Sequence, residues 1–328
     1  MAAELENPAS KMRLPWGMLI RIAGTLLALG IVFQFIPLGE VWAHVKAMPP
    51  LVWFGVFAAF LLGHAFAAAK WRWMIGGQVS YPRALKAHFA GLAANLALPG
   101  VAGGDLVRAG MLMKSSDTKT RIALGSLIDR LVDVAMLVVL SAIGAIWLGS
   151  QAGVSALGLS IAAALLIATG LTALLFLGPI ARTLKARAPS GKLGRLIHST
   201  AEALEDMSTR RGLLLFCAGL SLAIQAGFAF LTATLATNLG TDAPLAAWFF
   251  AWPLAKLIAT LPISLGGLGV REASLSGLMV PLGIASAGVI AAGLVWQTIL
   301  WAAGALGALI QILWPPVKTQ HQTGTSHG

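Results

Sequence analysis

Two eleven-residue stretches carry the residues with the most chemistry to offer: residues 98–108 read LPGVAGGDLVR and residues 261–271 read LPISLGGLGVR. Leu-Pro-x-x-x-Gly-Gly-x-x-Val-Arg thus occurs twice, 163 residues apart. Both copies lie in apolar surroundings, where Pro99 and Pro262 remove a backbone donor and paired glycines weaken helix, so each is expected to break a membrane helix in two. A new half-helix should start near Asp105 in one copy and near Val270 in the other. Helix starts expose unpaired amide hydrogens and a partial positive charge, both of which favour anions. Arg108 and Arg271 add a full charge with a forked donor geometry suited to phosphate. Gly103, Gly104, Asp105 and Arg108, with Gly266, Gly267, Gly269, Arg271 and Glu272, therefore describe an intramembrane anion pocket. Dissolved anions are one candidate ligand; lipid phosphates are the anions that a bilayer supplies in quantity. The Gly-Gly-x-Gly of 266–269 has no preceding strand and is no dinucleotide loop.

Other polar residues in apolar sequence admit both a functional and a structural use. Asp129 and Asp133, four apart with Arg130 between them, share a helix face inside a span. Buried carboxylates are costly unless paired or protonated, so they are candidates either for proton coupling or for a salt bridge with Arg130 or Arg108. Arg108 can equally neutralise Asp105 or Asp129. Arg271 is next to Glu272, but adjacent helix residues do not face each other, so its partner is expected elsewhere. Lys256, about a turn and a half before Pro262, is either a site residue or a snorkelling one. Gln225, Gln297 and Thr260 read as interhelical hydrogen-bonders, and His64 as a packing residue.

The elements that must position these residues are membrane helices. Of the 328 residues 58% are apolar and only 11% charged, and the mean hydropathy is +0.83, which excludes an ordinary soluble domain. Cys217 is the only cysteine, so neither a disulfide nor a cysteine-built zinc site is available, and the histidines have no metal-ligand spacing. The N-terminal apolar run is too long for a signal peptide and reads as a retained span.

Taken in order, Trp16–Pro37 and Leu51–Ala69 are spans, the second ending at Lys70-Trp71-Arg72-Trp73, an interfacial signature. Residues 84–113 form a broken pair, flanked on both sides by basic loops, that enters the membrane and returns to the same side. Spans at 122–148 and 154–177 complete a first repeat over residues 1–179. Residues 180–211 are a basic cytoplasmic linker with a surface helix marked by Leu193, Leu196, Ile197 and Leu204. The second repeat, 212–314, holds a span at 213–238, a second broken pair at 244–280 and a span at 284–314. A disordered tail covers 315–328. The expected architecture is all-α, with about six full spans and two re-entrant pairs in an inverted repeat. With the N-terminus cytoplasmic, this path puts most of the 23 Lys and Arg on the inner side, and only Lys46 in an outer loop. Membrane insertion explains the net charge of +11 without nucleic acid. Matched broken helices are a transporter signature, with the substrate site where the repeats meet.

LPGVAGGDLVRAGML, SLIDRLVDV and PISLGGLGVREASL together resemble the flippase-like family defined by the transmembrane region of lysylphosphatidylglycerol synthase. The resemblance covers nearly the whole chain. It implies movement of a polar lipid between leaflets of the inner membrane, or support of polar-lipid synthesis as in hopanoid-associated and lysyl-lipid systems. It marks Pro99, Gly103, Gly104, Asp105, Arg108, Asp129, Arg130, Pro262, Gly266, Gly267, Gly269, Arg271 and Glu272. One departure is Asp129-Arg130 where the family usually has Glu-Arg. Another is the short tail after Trp314 in place of a soluble aminoacyl-transferring domain, so synthesis of an aminoacylated lipid is not expected from this chain alone. The expected function is that of a lipid flippase or carrier. The alternatives are a lipid-binding partner of a biosynthetic enzyme and, behind it, an embedded transferase using Asp105, Asp129, Asp133 or Glu272 as acid or base. The expected partners are membrane lipids, with no cofactor, metal, nucleotide or nucleic acid.

Overall fold

The computed structural model describes residues 38–97, 102–114, 116, 118–152, 157–261, 264 and 267–314. The span expected at Trp16–Pro37, the helix breaks at Pro99 and Pro262, Gly266 and the tail lie outside the described residues. Eleven α-helices run through the described residues, with no strand among them. They are α1 Leu38–Lys46, α2 Pro50–Met74, α3 Tyr81–Ala97, α4 Ala102–Met113, α5 Lys119–Ala152, α6 Leu157–Ala186, α7 Lys192–Thr209, α8 Arg211–Asn238, α9 Leu245–Ala259, α10 Val270–Met279 and α11 Ser286–Leu313. Four of these, α2, α5, α8 and α11, are long and apolar enough to cross a membrane.

The two broken pairs are short for a reason that is local to each motif. Helices α3 and α4 have 17 and 12 residues, and α9 and α10 have 15 and 10. At 1.5 Å per residue none reaches the roughly 30 Å of a hydrocarbon core. In the second copy Gly267 and Gly269 have φ near +80°, a left-handed turn that a side chain would strain, and α10 starts directly after it. The first copy differs from the expectation of a start near Asp105. Helix α4 begins at Ala102, so Gly103 and Gly104 are inside its first turn. Gly104 donates its N–H to Asn95 Oδ1 at 2.9 Å, which satisfies one orphan donor of the helix start. Its lack of a side chain lets α4 close on α3, where a Cβ on Gly91 would stand 2.8 Å from the Gly104 carbonyl oxygen.

Packing follows a regular scheme. Helix α2 packs on α8; α3 packs on α11 and α9 on α5; α3 and α9 also pack on α2 and α8 respectively. Exchanging α2 with α8, α3 with α9, α4 with α10 and α5 with α11 maps this set of neighbours onto itself. Glycines permit the two cross-contacts: Gly144 on α5 meets the backbone of Phe249 and Phe250 on α9, and Gly307 on α11 meets the backbone of Phe89 and Ala93 on α3. These two glycines are also 163 residues apart. The main core joins α2, α5, α8, α9, α10 and α11 around Phe60, Trp248, Trp252 and Trp296. The connection between the first two expected spans, where Lys46 is expected in an outer loop, contains the helix α1. In the linker, α7 packs on α6 and α5 with Leu193 and Leu196 exposed.

Candidate functional site

Between the two hairpins lies a cavity of about 440 Å³ whose walls come from α2, α3, α4, α5, α8, α9, α10 and α11. From the first hairpin it is lined by His88, Asn95, Gly104, Asp105 and Arg108; from the second, by Trp252, Lys256, Leu268 and Arg271. Phe60, Phe228, Trp296 and Trp301 give it an aromatic side.

A buried ion network forms the wall on the side of the first hairpin. Arg108, 6% exposed, reaches Asp129 Oδ2 at 3.0 Å and Asp105 Oδ1 at 2.9 Å, and its guanidinium lies 4.7 Å from the centre of the Trp71 ring. Lys70 Nζ is 3.0 Å from Asp129 Oδ1 and also pairs with Asp133, which accepts a hydrogen bond from Ser221. Arg130 is farther out, 3.8 Å from Asp105. Both expected uses of Arg108 are therefore realised at once, whereas Asp133 pairs with Lys70 and not with Arg130 or Arg108. Lys70 corrects the interfacial reading of Lys70-Trp71-Arg72-Trp73. Helix α2 continues to Met74, and Lys70 and Trp71 are buried at 1% and 0% exposure. Burial of a lysine is tolerable here because two carboxylates face it.

In the second hairpin Arg271 and Glu272 correct another expectation, since these neighbours do pair. Glu272, fully buried, turns back to accept the Gly269 N–H at 2.8 Å, as the acidic half of a capping box. That brings its carboxylate to the helix start, where Arg271 Nε meets it at 3.0 Å. Residues in a first turn can meet this way because the chain before them has already left the helix. Arg271 further donates to the Gly293 carbonyl and to Gln297 Oε1, both at 3.1 Å. Lys256 differs from both arginines. Its ammonium donates to Gln225 Oε1 at 2.8 Å and lies over the Trp252 and Phe228 rings at 4.9 and 5.6 Å. Among the described residues, no carboxylate is in ion-pair range of it. The expected hydrogen-bonding roles of Gln225 and Gln297 are thus met inside the cavity, while Thr260, at the end of α9, donates to the Leu257 carbonyl of that helix.

This matched pair of hairpins sits in a chain whose residues 18–307 match the family model described as the lysylphosphatidylglycerol synthase TM region. The chain belongs to that family. No curated protein matches it. In this family member Gly104, Asp105, Arg108, Asp129, Arg130, Asp133, Lys256 and Arg271 meet around one cavity. Gly103, Gly267, Gly269 and Glu272 do not line it: Gly267 and Gly269 shape the turn before α10, and Glu272 stands behind Arg271. Lys70, His88 and Trp252 are cavity residues that sequence reasoning missed. For Lys70 a signal existed, because Asp129 and Asp133 inside one span call for more than one cation.

Proposed function

We propose that this membrane protein is a carrier for a phosphate-bearing lipid, binding the headgroup in the cavity between its hairpins. The observation that carries this reading is Lys256. Among the described residues, Lys70, Arg108, Arg130 and Arg271 each have a carboxylate partner, and Lys256 has only an amide. A cation held against aromatic faces in a water-accessible hollow is a ready anchor for an anion. The arginines then act less as direct ligands than as braces that hold the two helix starts around it. Further support comes from the family membership, from the hairpins too short to span, and from the exchange symmetry of the packing, which suits an inverted repeat that rocks to expose the pocket to each leaflet. The charge asymmetry supports an inner-membrane orientation with the N-terminus cytoplasmic. The carboxylates that an embedded transferase would use, Asp105, Asp129, Asp133 and Glu272, are all held in ion pairs, which favours carriage over catalysis.

Liposomes containing fluorescent phosphatidylglycerol test this. Purified protein should accelerate loss of inner-leaflet signal to an impermeant quencher, and Lys256→Gln should slow it about ten- to a hundredfold. That range corresponds to a charge-assisted hydrogen bond of about 1.5–3 kcal/mol. A folded protein that retains lipid but moves none would sink the carrier reading in favour of a lipid-holding partner.

A further inference from the structure

We infer that His64 and His88 form a proton-binding site coupled to the anion pocket. The inference rests on the carrier reading for what the proton does, but not for where it binds. His64 on α2 and His88 on α3 both line the cavity, and His64 Nδ1 is 2.9 Å from His88 Nε2. On the far side of the second ring, Arg108 Nη1 is 3.3 Å from His88 Nδ1. A guanidinium only donates, so His88 Nδ1 accepts and carries no proton. The His88 proton is then on Nε2 and is donated to His64 Nδ1, which leaves the His64 proton on Nε2. Both rings are neutral, and both unprotonated nitrogens are occupied as acceptors.

One further proton cannot be added without breaking one of these two bonds. If the ring-to-ring bond is kept, the charged pair carries a proton on His88 Nδ1 whichever ring holds the charge, and that N–H opposes Arg108. If the Arg108 bond is kept, two N–H groups face each other between α2 and α3. Protonation therefore loosens the first hairpin either from α2 or from its own motif arginine, which also holds Asp105 and Asp129. A packing pair needs no such arrangement of lone pairs.

The surroundings tie the proton to an anion. Phe60 and Phe228 flank His64, with ring centres at 4.4 and 5.2 Å. Charged groups reach the shared cavity from Lys70 on α2, Asp105 and Arg108 on α4, Asp129, Arg130 and Asp133 on α5, Lys256 on α9 and Arg271 on α10. Helices α8 and α11 present only neutral side chains there, Gln225 and Phe228 from one and Trp296 and Gln297 from the other. Asp105, Asp129 and Asp133 are each committed to Lys70, Arg108 or Arg130, so among the described residues no cavity carboxylate is spare to offset a charged histidine pair. An anion against Lys256 supplies that charge. By reciprocity, a bound anion favours the proton and a bound proton favours the anion.

The test has two arms on the full-length protein in nanodiscs. Histidine ¹⁵N spectra, taken with and without a short-chain phosphatidylglycerol from about pH 8 to about pH 5, should show His64 and His88 taking up one proton as a pair, at higher pH when the anion is present. In His88→Gln, His64 should titrate alone. Binding of a short-chain phosphatidylglycerol, read from the fluorescence of the cavity tryptophans, should tighten on acidification by up to about tenfold per pH unit, the limit for one linked proton. In the double variant His64→Gln/His88→Gln, binding of whatever strength should no longer vary with pH. Rings that stay neutral over the whole range would overturn the proton site. Wild-type binding that ignores pH, or a double variant that keeps the dependence, would overturn the coupling while leaving the carrier reading intact. Paired titration with no lipid binding at any pH would remove the carrier reading and the coupling but leave the proton site.

Discussion

At the scale of single residues, the cavity cations separate, among the described residues, into Lys70, Arg108, Arg130 and Arg271, each on a carboxylate, and Lys256, which has none. Asp129 is flanked by Lys70 and Arg108, and all three are buried. Neutralising it leaves Lys70 on Asp133 and Arg108 on Asp105, with the buried network one negative charge short, which costs on the order of 3–5 kcal/mol. Asp129→Asn should therefore lower the unfolding midpoint in detergent markedly, whereas Lys256→Gln, which removes a cation without a carboxylate, should leave the midpoint unchanged or raise it. Equal losses from both would place Lys256 among the braces. The motif arginines, Asp129 and Lys256 were all legible from the sequence as intramembrane charges. The pairing of Arg108 with Asp105 and Asp129 was legible too, whereas that of Asp129 with Lys70 was not, because Lys70 comes from a helix far earlier in the chain than Asp129 and looked interfacial beside Trp71 and Trp73. His88 was hidden in an apolar half-helix with no local pattern to mark it.

Among elements, each hairpin depends on a glycine in the opposite half of the chain. Helix α9 rests on Gly144 of α5 and α3 rests on Gly307 of α11, backbone against backbone. A larger side chain at either position must push a hairpin away from the cavity, an overpacking cost of about 1–3 kcal/mol. Gly144→Leu and Gly307→Leu should each reduce stability by that order and slow lipid movement to a similar degree, measured by unfolding and by the liposome assay. A severe effect from one and none from the other would argue against equivalent roles for the two hairpins. The sequence located both hairpins within a few residues, since proline and paired glycines act locally. It misjudged the start of α4, because the choice between a turn and a first helical turn at Gly103-Gly104 is made by Asn95 and Gly91 on the partner helix. Gly104 and Leu106, which correspond to Gly267 and Gly269, lie inside helix α4 and not in a left-handed turn, so identical spacing does not impose identical backbone.

For the whole molecule, apolar composition and charge distribution announced a helical membrane protein, and the family match bears out the resemblance carried by the motifs. What linear sequence could not supply was the exchange of partners, in which each hairpin packs on a long helix of the other half, α3 on α11 and α9 on α5. That arrangement brings both motif arginines and Lys256 to one hollow, and it is the basis for regarding the hollow as a headgroup site. An experimental structure in nanodiscs of phosphatidylglycerol tests this most directly. The account predicts a lipid phosphate in the cavity about 3 Å from the Lys256 ammonium, with Arg108 and Arg271 still on their carboxylates. Phosphates found only around the rim, with Lys256 touching protein alone, or a hairpin that crosses to the far surface, would contradict it.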